Sequence, residues 1–116
     1  MTMITLTESN FDEVVQNTDY LLIEFSAEWC GPCQGYQKVL HACAADFPEF
    51  TFATVDIEQE SALAEEFQVR SVPATMILRN SVIVCMQAGA LTQAALEELL
   101  VQTKQLDPEQ LVSDGD

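Results

Sequence analysis

The stretch YLLIEFSAEWCGPC, from Tyr20 to Cys33, combines a run of strand-forming residues with two closely spaced cysteines. Its first half, up to Ser26, is apolar on both faces, which is typical of a central strand covered by helices on both sides. A Gly-Pro pair then interrupts the pattern, and proline is well tolerated in the first turn of a helix. Cys30 and Cys33 are therefore predicted to lie where a buried strand ends and a helix begins.

The predicted position of the two cysteines favours redox chemistry. Backbone amides and the helix dipole place partial positive charge at a helix N-terminus, so a thiolate there is stabilised and its pKa falls. We expect Cys30 to face outward and Cys33 to lie beneath it, one turn into the helix. Two intervening residues let the sulfurs reach disulfide distance. Cys30 can then attack a substrate disulfide, and Cys33 can resolve the mixed disulfide and release the product.

Strand and helix patterns alternate on either side of this junction. Their order, β-α-β-α-β-α-β-β-α, predicts an α/β fold in which helices flank both faces of a central mixed sheet. The sheet should be mostly parallel with one antiparallel hairpin. We expect Asn10 and Glu13 to form a capping box on the first helix, and Thr92 to cap the last helix. The other predicted strands are 3–6, 51–57, 74–78 and 82–86, and the other helices begin near residues 32 and 61.

Composition and charge exclude several functional classes. The chain has 116 residues, 4 Lys and Arg against 19 Asp and Glu, and a formal net charge of −15. Such a surface repels phosphate backbones and anionic lipids, so neither nucleic acid nor a membrane is an expected partner. The sequence has neither an apolar run of membrane-spanning length nor a signal-peptide pattern, so we expect the reducing cytoplasm. The negative charge disfavours self-association, so we expect a monomer. Residues 1–104 are predicted to form one domain and residues 105–116 an acidic C-terminal tail.

Residues 27–33, AEWCGPC, resemble the active-site motif of the thioredoxin family. Val72-Pro73 is similar to the family's cis-proline, which lies opposite the cysteine pair. Gly89 is similar to the glycine that follows the last strand and borders the substrate groove. The resemblance extends over residues 1 to about 104 and implies a thioredoxin fold.

The resemblance also implies a function and a set of site residues. The chain is expected to be a thiol-disulfide oxidoreductase that reduces disulfides of client proteins and needs no dissociable cofactor or metal. A thioredoxin reductase, itself supplied by NADPH, would restore the dithiol. The implied catalytic residues are Cys30, Cys33 and Glu24, and the implied substrate-binding residues are Trp29, Gly31, Pro32, Val72, Pro73 and Gly89.

Several positions depart from the family pattern. The most consequential is Glu24, where the family usually has a buried Asp. Its apolar strand should bury the carboxyl group, and burial disfavours the charged form, so we expect a raised pKa and a role in proton transfer to and from Cys33. Nothing local in the sequence offsets this desolvation. The other departures are Gln34 and Thr54 for lysines, Lys38 for a proline, Ala74 for a threonine, and Asn80-Ser81 for Asn-Gly in the hairpin.

Metal binding is an alternative function of the cysteines. A zinc site needs four ligands, and His41 and Cys43 would lie roughly 12 to 15 Å from Cys33 along a helix, too far to converge. An iron–sulfur cluster bridging two chains is a remaining metal alternative. Cys43 and Cys85 are interpreted as structural cysteines, and His41 as a solvated residue.

Two functional alternatives remain beside the reductase. The first is a thioredoxin-fold co-chaperone or assembly module in which redox chemistry is secondary, an interpretation motivated by the acidic surface. The second is a disulfide oxidant or isomerase. The Gly-Pro pair between the cysteines argues against this second alternative.

Overall fold

A computed structural model describes residues 3–107, and its elements follow the predicted order. The predicted tail beyond residue 107 lies outside the described residues. Within them, no helix is both long and apolar enough to cross a membrane. The elements are β1 (Ile4–Thr5), α1 (Phe11–Gln16), β2 (Tyr20–Ser26), α2 (Gly31–Asp46), β3 (Thr51–Asp56), α3 (Ser61–Glu66), β4 (Ala74–Arg79), β5 (Val82–Ala88) and α4 (Gln93–Gln105).

The five strands form one mixed sheet in the order β1-β3-β2-β4-β5. Strand β3 pairs in parallel with β1 and β2, whereas β4 pairs antiparallel with β2 and β5. Among the described strands, only β4 therefore runs against the others. The predicted α/β class, mixed sheet and antiparallel hairpin are confirmed. The apolar strand β2 lies at the centre, as its composition indicates.

Side chains that alternate along β2 supply two separate cores. Leu21, Ile23 and Phe25 pack on the side of α1 and α3. Leu22 packs on the side of α2 and α4. Because strand side chains alternate, Glu24 points to the same side as Leu22, into the layer beneath α2. The sheet thus places a carboxyl group under the helix that begins at the cysteines.

The two predicted helix caps have different outcomes. Thr92 caps α4 as expected, because its Oγ1 accepts a hydrogen bond from the backbone N–H of Ala95 at 3.1 Å. The capping box at Asn10 is wrong, since its side chain makes no bond to the helix. Its Oδ1 instead accepts from the Thr7 N–H at 2.7 Å, and its amide donates to the Thr5 carbonyl. The preceding turn therefore uses the groups that a cap would need.

The two-residue turn between β4 and β5 is strained. Asn80 and Ser81 have φ values of 51° and 68°. A two-residue turn of this kind favours glycine at its second position, because a side chain there costs roughly 1 kcal/mol. The Ser81 hydroxyl donates a hydrogen bond to the carbonyl of Val15 at 3.0 Å. This bond gives the serine a compensating contact that the sequence did not indicate.

Candidate active site

The two cysteines lie at the start of α2 and are joined by a disulfide bond. Their Cα atoms are 5.3 Å apart, within the usual range for a disulfide. Cys30 is the N-cap residue, and its sulfur accepts a hydrogen bond from the backbone N–H of Cys33 at 3.1 Å. The predicted strand-to-helix junction is therefore present, and the helix N-terminus is directed at the Cys30 sulfur.

The expectation that Cys30 faces outward is wrong for this disulfide form. Cys30 is only 2% exposed and Cys33 only 3%. Both pack in a small cluster with Ala27, against the partly buried Ile57 and Val72. The two cysteines have little exposed surface because these apolar groups pack against them. The exposed part of the site is therefore the surface around the disulfide.

The exposed surface around the disulfide comes from residues on both sides of Cys30. Trp29 is 65% exposed, and Gly31 and Pro32 are also exposed. An exposed indole is a large apolar surface that another protein can cover. These residues form the exposed surface beside the buried sulfur atoms.

A second predicted segment lies beside the cysteines. The Val72-Pro73 peptide bond is cis, and Val72 packs against the cysteine cluster. The carbonyl of Pro73 accepts a hydrogen bond from the Gly89 N–H at 2.8 Å. Gly89 has a φ of 92°, a conformation that glycine adopts readily and other residues rarely do. The fold thus brings Val72, Pro73 and Gly89 together next to the cysteine pair.

Glu24 lies in the interior with no exposed surface. In the sheet it is paired with Thr54 on β3 and Thr75 on β4. Desolvation by burial raises the pKa of Glu24 to about 7, and the hydrogen bond from Gln37 and the nearby Thr54 hydroxyl oppose the shift. The predicted direction of the pKa shift is therefore confirmed. The expectation that nothing offsets the desolvation is wrong.

The sequence pattern did not indicate three polar side chains near Glu24, of which one is its hydrogen-bond partner. Gln37 donates from Nε2 to Glu24 Oε1. The hydroxyls of Tyr36 and Thr75 are 2.6 Å apart and buried, and burial is the main cause that raises the pKa of Tyr36 to about 12. Helical spacing could have indicated Gln37, because Gln37 follows Cys33 by one turn and lies on the same face of α2.

The remaining candidate ligands do not converge on the site. Cys43 is fully buried, and desolvation is the main cause that raises its pKa to about 11. Cys85 is half-buried on the edge strand β5, and burial also raises its pKa. His41 is exposed on α2. Over residues 3–107, no group of three or more His, Cys, Asp or Glu side chains could hold a metal ion.

Replacement of Cys43 by alanine is expected to leave catalysis unchanged and to lower stability slightly. The substitution removes one fully buried sulfur atom, which should reduce the free energy of unfolding by about 1 kcal/mol. Denaturant midpoints and disulfide-reduction rates of the variant and the parent protein would measure both effects. Cys85→Ala is the matched control and should lose less stability because Cys85 is only half-buried. A folded Cys43→Ala variant without turnover would contradict the structural role.

Comparison with known proteins gives a consistent result over nearly the whole chain. The profile of the thioredoxin family matches residues 2–102. A protein assigned as thioredoxin 2 of Streptomyces coelicolor is 40% identical over 108 residues, covering 93% of this chain and 81% of the relative. Thioredoxin of Haemophilus influenzae is 30% identical over 102 residues, covering 86% and 95%. A solved thioredoxin variant from Halobacterium salinarum superposes with a TM-score of 0.82 at 28% identity, covering 90% and 93%.

Proposed function

The chain belongs to the thioredoxin family and is a thiol-disulfide oxidoreductase, and we propose that it reduces protein disulfides through attack by Cys30 and resolution by Cys33. The hydrogen bond from the Cys33 N–H to the Cys30 sulfur is the observation that carries this assignment. A backbone donor at a helix N-terminus stabilises negative charge on the atom it contacts. This donor supports the assignment of Cys30 as the cysteine that reacts as a thiolate.

In the proposed reaction, two thiol-disulfide exchanges transfer two electrons to the client. The Cys30 thiolate attacks one sulfur of the client disulfide, forms a mixed disulfide and releases the other client sulfur as a thiolate. Cys33 then loses its proton, and its thiolate attacks the Cys30 sulfur. This step forms the Cys30–Cys33 disulfide and releases the second client thiolate. The redox-active group is the protein's own cysteine pair.

Glu24 is proposed to accept the proton of Cys33 during resolution and to return it when the disulfide is reduced. Its pKa of about 7 supports this role, because both the acid and the carboxylate are populated near neutral pH. Its place beneath α2, the helix that holds Cys33, supports the same assignment. In the reduced protein the carboxyl and the Cys33 thiol would titrate as a coupled pair.

Client binding is assigned to the surface around the disulfide and to the neighbouring cis-proline segment. Trp29, Gly31 and Pro32 would contact the client on one side of the sulfurs. Val72 and Pro73 would align its backbone, and Gly89 would border the same groove. The contact between Val72 and the cysteine cluster supports this arrangement.

Three further assignments complete the proposal. A thioredoxin reductase supplied by NADPH would return the disulfide to the dithiol. The two further cysteines of the chain, Cys43 and Cys85, are free, which fits a reducing cytoplasmic compartment. We also propose a monomer with a single domain over residues 1–104 and an acidic tail over residues 105–116.

Turnover of an insulin-type disulfide with a recycling reductase tests the proposed function. We expect catalysis by the parent protein and none by the variant in which Cys30 and Cys33 are both serine. The co-chaperone alternative is favoured only by the acidic surface, and the same double variant distinguishes it. If the parent protein fails to reduce the disulfide and partner binding survives in the double variant, the result would support the co-chaperone and overturn the reductase.

The rate of reaction with the recycling reductase is expected to fall as salt is added. A net charge of −15 should speed the approach to a basic docking face. Salt at about 1 M shortens the screening length to about 3 Å and removes this attraction. The association rate would be measured by stopped flow at several salt concentrations, from roughly 0.05 to 1 M and evenly spaced on a logarithmic scale. A small uncharged disulfide is the control and should show a flat profile; the same flat profile with the reductase would contradict the prediction.

A further inference from the structure

Gln37 lies on the same helix as Cys33 and contacts the buried carboxyl group of Glu24. It follows Cys33 by four residues, so the two side chains lie on one face of α2, about one turn apart. From this face Gln37 donates a hydrogen bond to Oε1 of Glu24, across the boundary between α2 and β2. The residue that contacts the carboxyl is thus held by the same helix face that holds Cys33.

The two oxygens of Glu24 have different surroundings. Oε1 accepts the bond from Gln37, whereas Oε2 is buried and has no hydrogen-bond partner among the described residues. An amide N–H can only donate, so Oε1 must remain the accepting oxygen while this bond exists. When the carboxyl group is neutral, its proton therefore belongs on Oε2.

The other groups around the carboxyl do not compete for this proton near neutral pH. Tyr36 on α2 keeps its own proton, because its pKa is raised to about 12. The neighbouring strands present the hydroxyls of Thr54 on β3 and Thr75 on β4, which are not ionisable in this range. Helix α4 presents apolar side chains, including Leu96, to this layer. Cys43, also on α2, lies in the same layer and keeps its proton because burial raises its pKa to about 11. That leaves Cys33, on the face of α2 that carries Gln37, for proton exchange once the disulfide is opened.

Gln37 also lies at the protein surface. It lines an open pocket together with Lys38 and His41, both of which are exposed. Its inner end contacts Glu24, which has no exposed surface. The same side chain therefore reaches both the solvent-facing pocket and the buried carboxyl group.

We propose that Gln37 is a positioning residue that holds Oε1 of Glu24 and so makes Oε2 the oxygen that exchanges a proton with Cys33. The proposal deepens the proposed function and rests on the proton role assigned to Glu24. Gln37 itself contacts neither the client nor the sulfurs in this scheme. It acts by fixing which carboxyl oxygen carries the proton.

Gln37→Met tests the proposal, because methionine has a similar length and helix propensity but no amide donor. Gln34→Met is the matched control, since Gln34 is the same residue type on the same helix and its side chain is exposed. Two readouts are needed. The first is the titration of the Glu24 carboxyl by carbon NMR in the disulfide form. The second is the pH profile of resolution in single-turnover release of thiolates from a chromogenic aromatic disulfide.

In Gln37→Met we expect the Glu24 titration to move upward by about one pH unit, because a hydrogen bond that favours the carboxylate is lost. The pH profile of resolution should move upward by the same amount, which slows resolution about fivefold to tenfold near pH 7. Gln34→Met should change neither readout. In a Glu24→Gln background, Gln37→Met should produce no further slowing.

The possible failures are distinguishable. An unmoved Glu24 titration in folded Gln37→Met would overturn the positioning role of Gln37, whatever happens to the rate. A moved titration with an unmoved rate profile would remove Glu24 from the reaction and overturn its proposed proton role. Further slowing in the Glu24→Gln background would show that Gln37 acts by another route and would also overturn the positioning proposal.

Discussion

Replacement of Cys33 by serine is expected to stop the reaction at the mixed disulfide between Cys30 and the client. Cys30 keeps its place at the helix N-terminus and the donor that stabilises its thiolate, so the first exchange should still occur. The serine hydroxyl is not a resolving thiol, so the client stays attached and catalytic turnover ends. Mass spectrometry of the trapped adduct would identify the bonded cysteine.

Cys30→Ser is the matched control for this trap, because it removes the attacking sulfur but keeps the other three cysteines. It should form no adduct with the same client. Rates of alkylation of the reduced parent protein at neutral pH give an independent check, in which Cys30 should react before Cys33, Cys43 and Cys85. Faster modification of any of these three would show that the attacking thiolate has been assigned to the wrong residue.

Glu24→Gln is expected to slow resolution of the mixed disulfide by about one to two orders of magnitude, the scale of a lost acid–base group. Glutamine keeps an oxygen that can accept the bond from Gln37 but cannot take a proton from Cys33. The first exchange, by Cys30, should keep its rate. Single-turnover release of the two thiolates from an aromatic disulfide separates the steps, and an unchanged second step would exclude Glu24 from the mechanism.

The same substitution should change how stability depends on pH. The pKa of Glu24 is raised from 4.5 to about 7 on folding, so the native state binds this proton more tightly than the unfolded chain. The parent protein should therefore lose stability as pH rises through this window, by on the order of 3 kcal/mol. Glu24→Gln lacks this loss and should be the more stable protein above about pH 7.

Denaturant midpoints measured from about pH 4 to 8 would show this difference as two diverging curves. The slopes of midpoint against pH are compared, rather than the midpoints at a single pH, because the amide of Glu24→Gln also buries polar hydrogens. Their effect on stability does not vary with pH and so does not change the slope. Parallel curves would show that Glu24 is solvated in the folded protein.

Much of the fold could be predicted from local patterns in the sequence. The strand from Tyr20 to Ser26 is apolar on both faces, and this alone indicates its central position in a covered sheet. The Asn80-Ser81 turn and the cap at Thr92 depend on neighbouring residues, so short stretches were sufficient to place them. The cysteine pair could be placed at a helix N-terminus for the same reason.

The incorrect predictions depend on contacts that a helical or strand pattern does not specify. Cys30 is buried because Ile57 and Val72 cover the disulfide, and neither lies near it in sequence. Asn10 fails to cap its helix because the turn that follows β1 uses its amide group. Gln37 reaches Glu24 only because α2 packs over the centre of β2, which a helical pattern does not specify.

Equilibration with glutathione tests most directly whether this protein acts as a reductase through Cys30 and Cys33. The protein would be incubated in buffers of known ratio of reduced to oxidised glutathione, quenched with acid, and assayed for the fraction that carries the Cys30–Cys33 disulfide. A reductase has a dithiol that gives electrons to oxidised glutathione, so we expect the disulfide to persist when most of the glutathione is reduced. A dithiol that persists in excess oxidised glutathione would contradict this function and indicate an oxidant or isomerase.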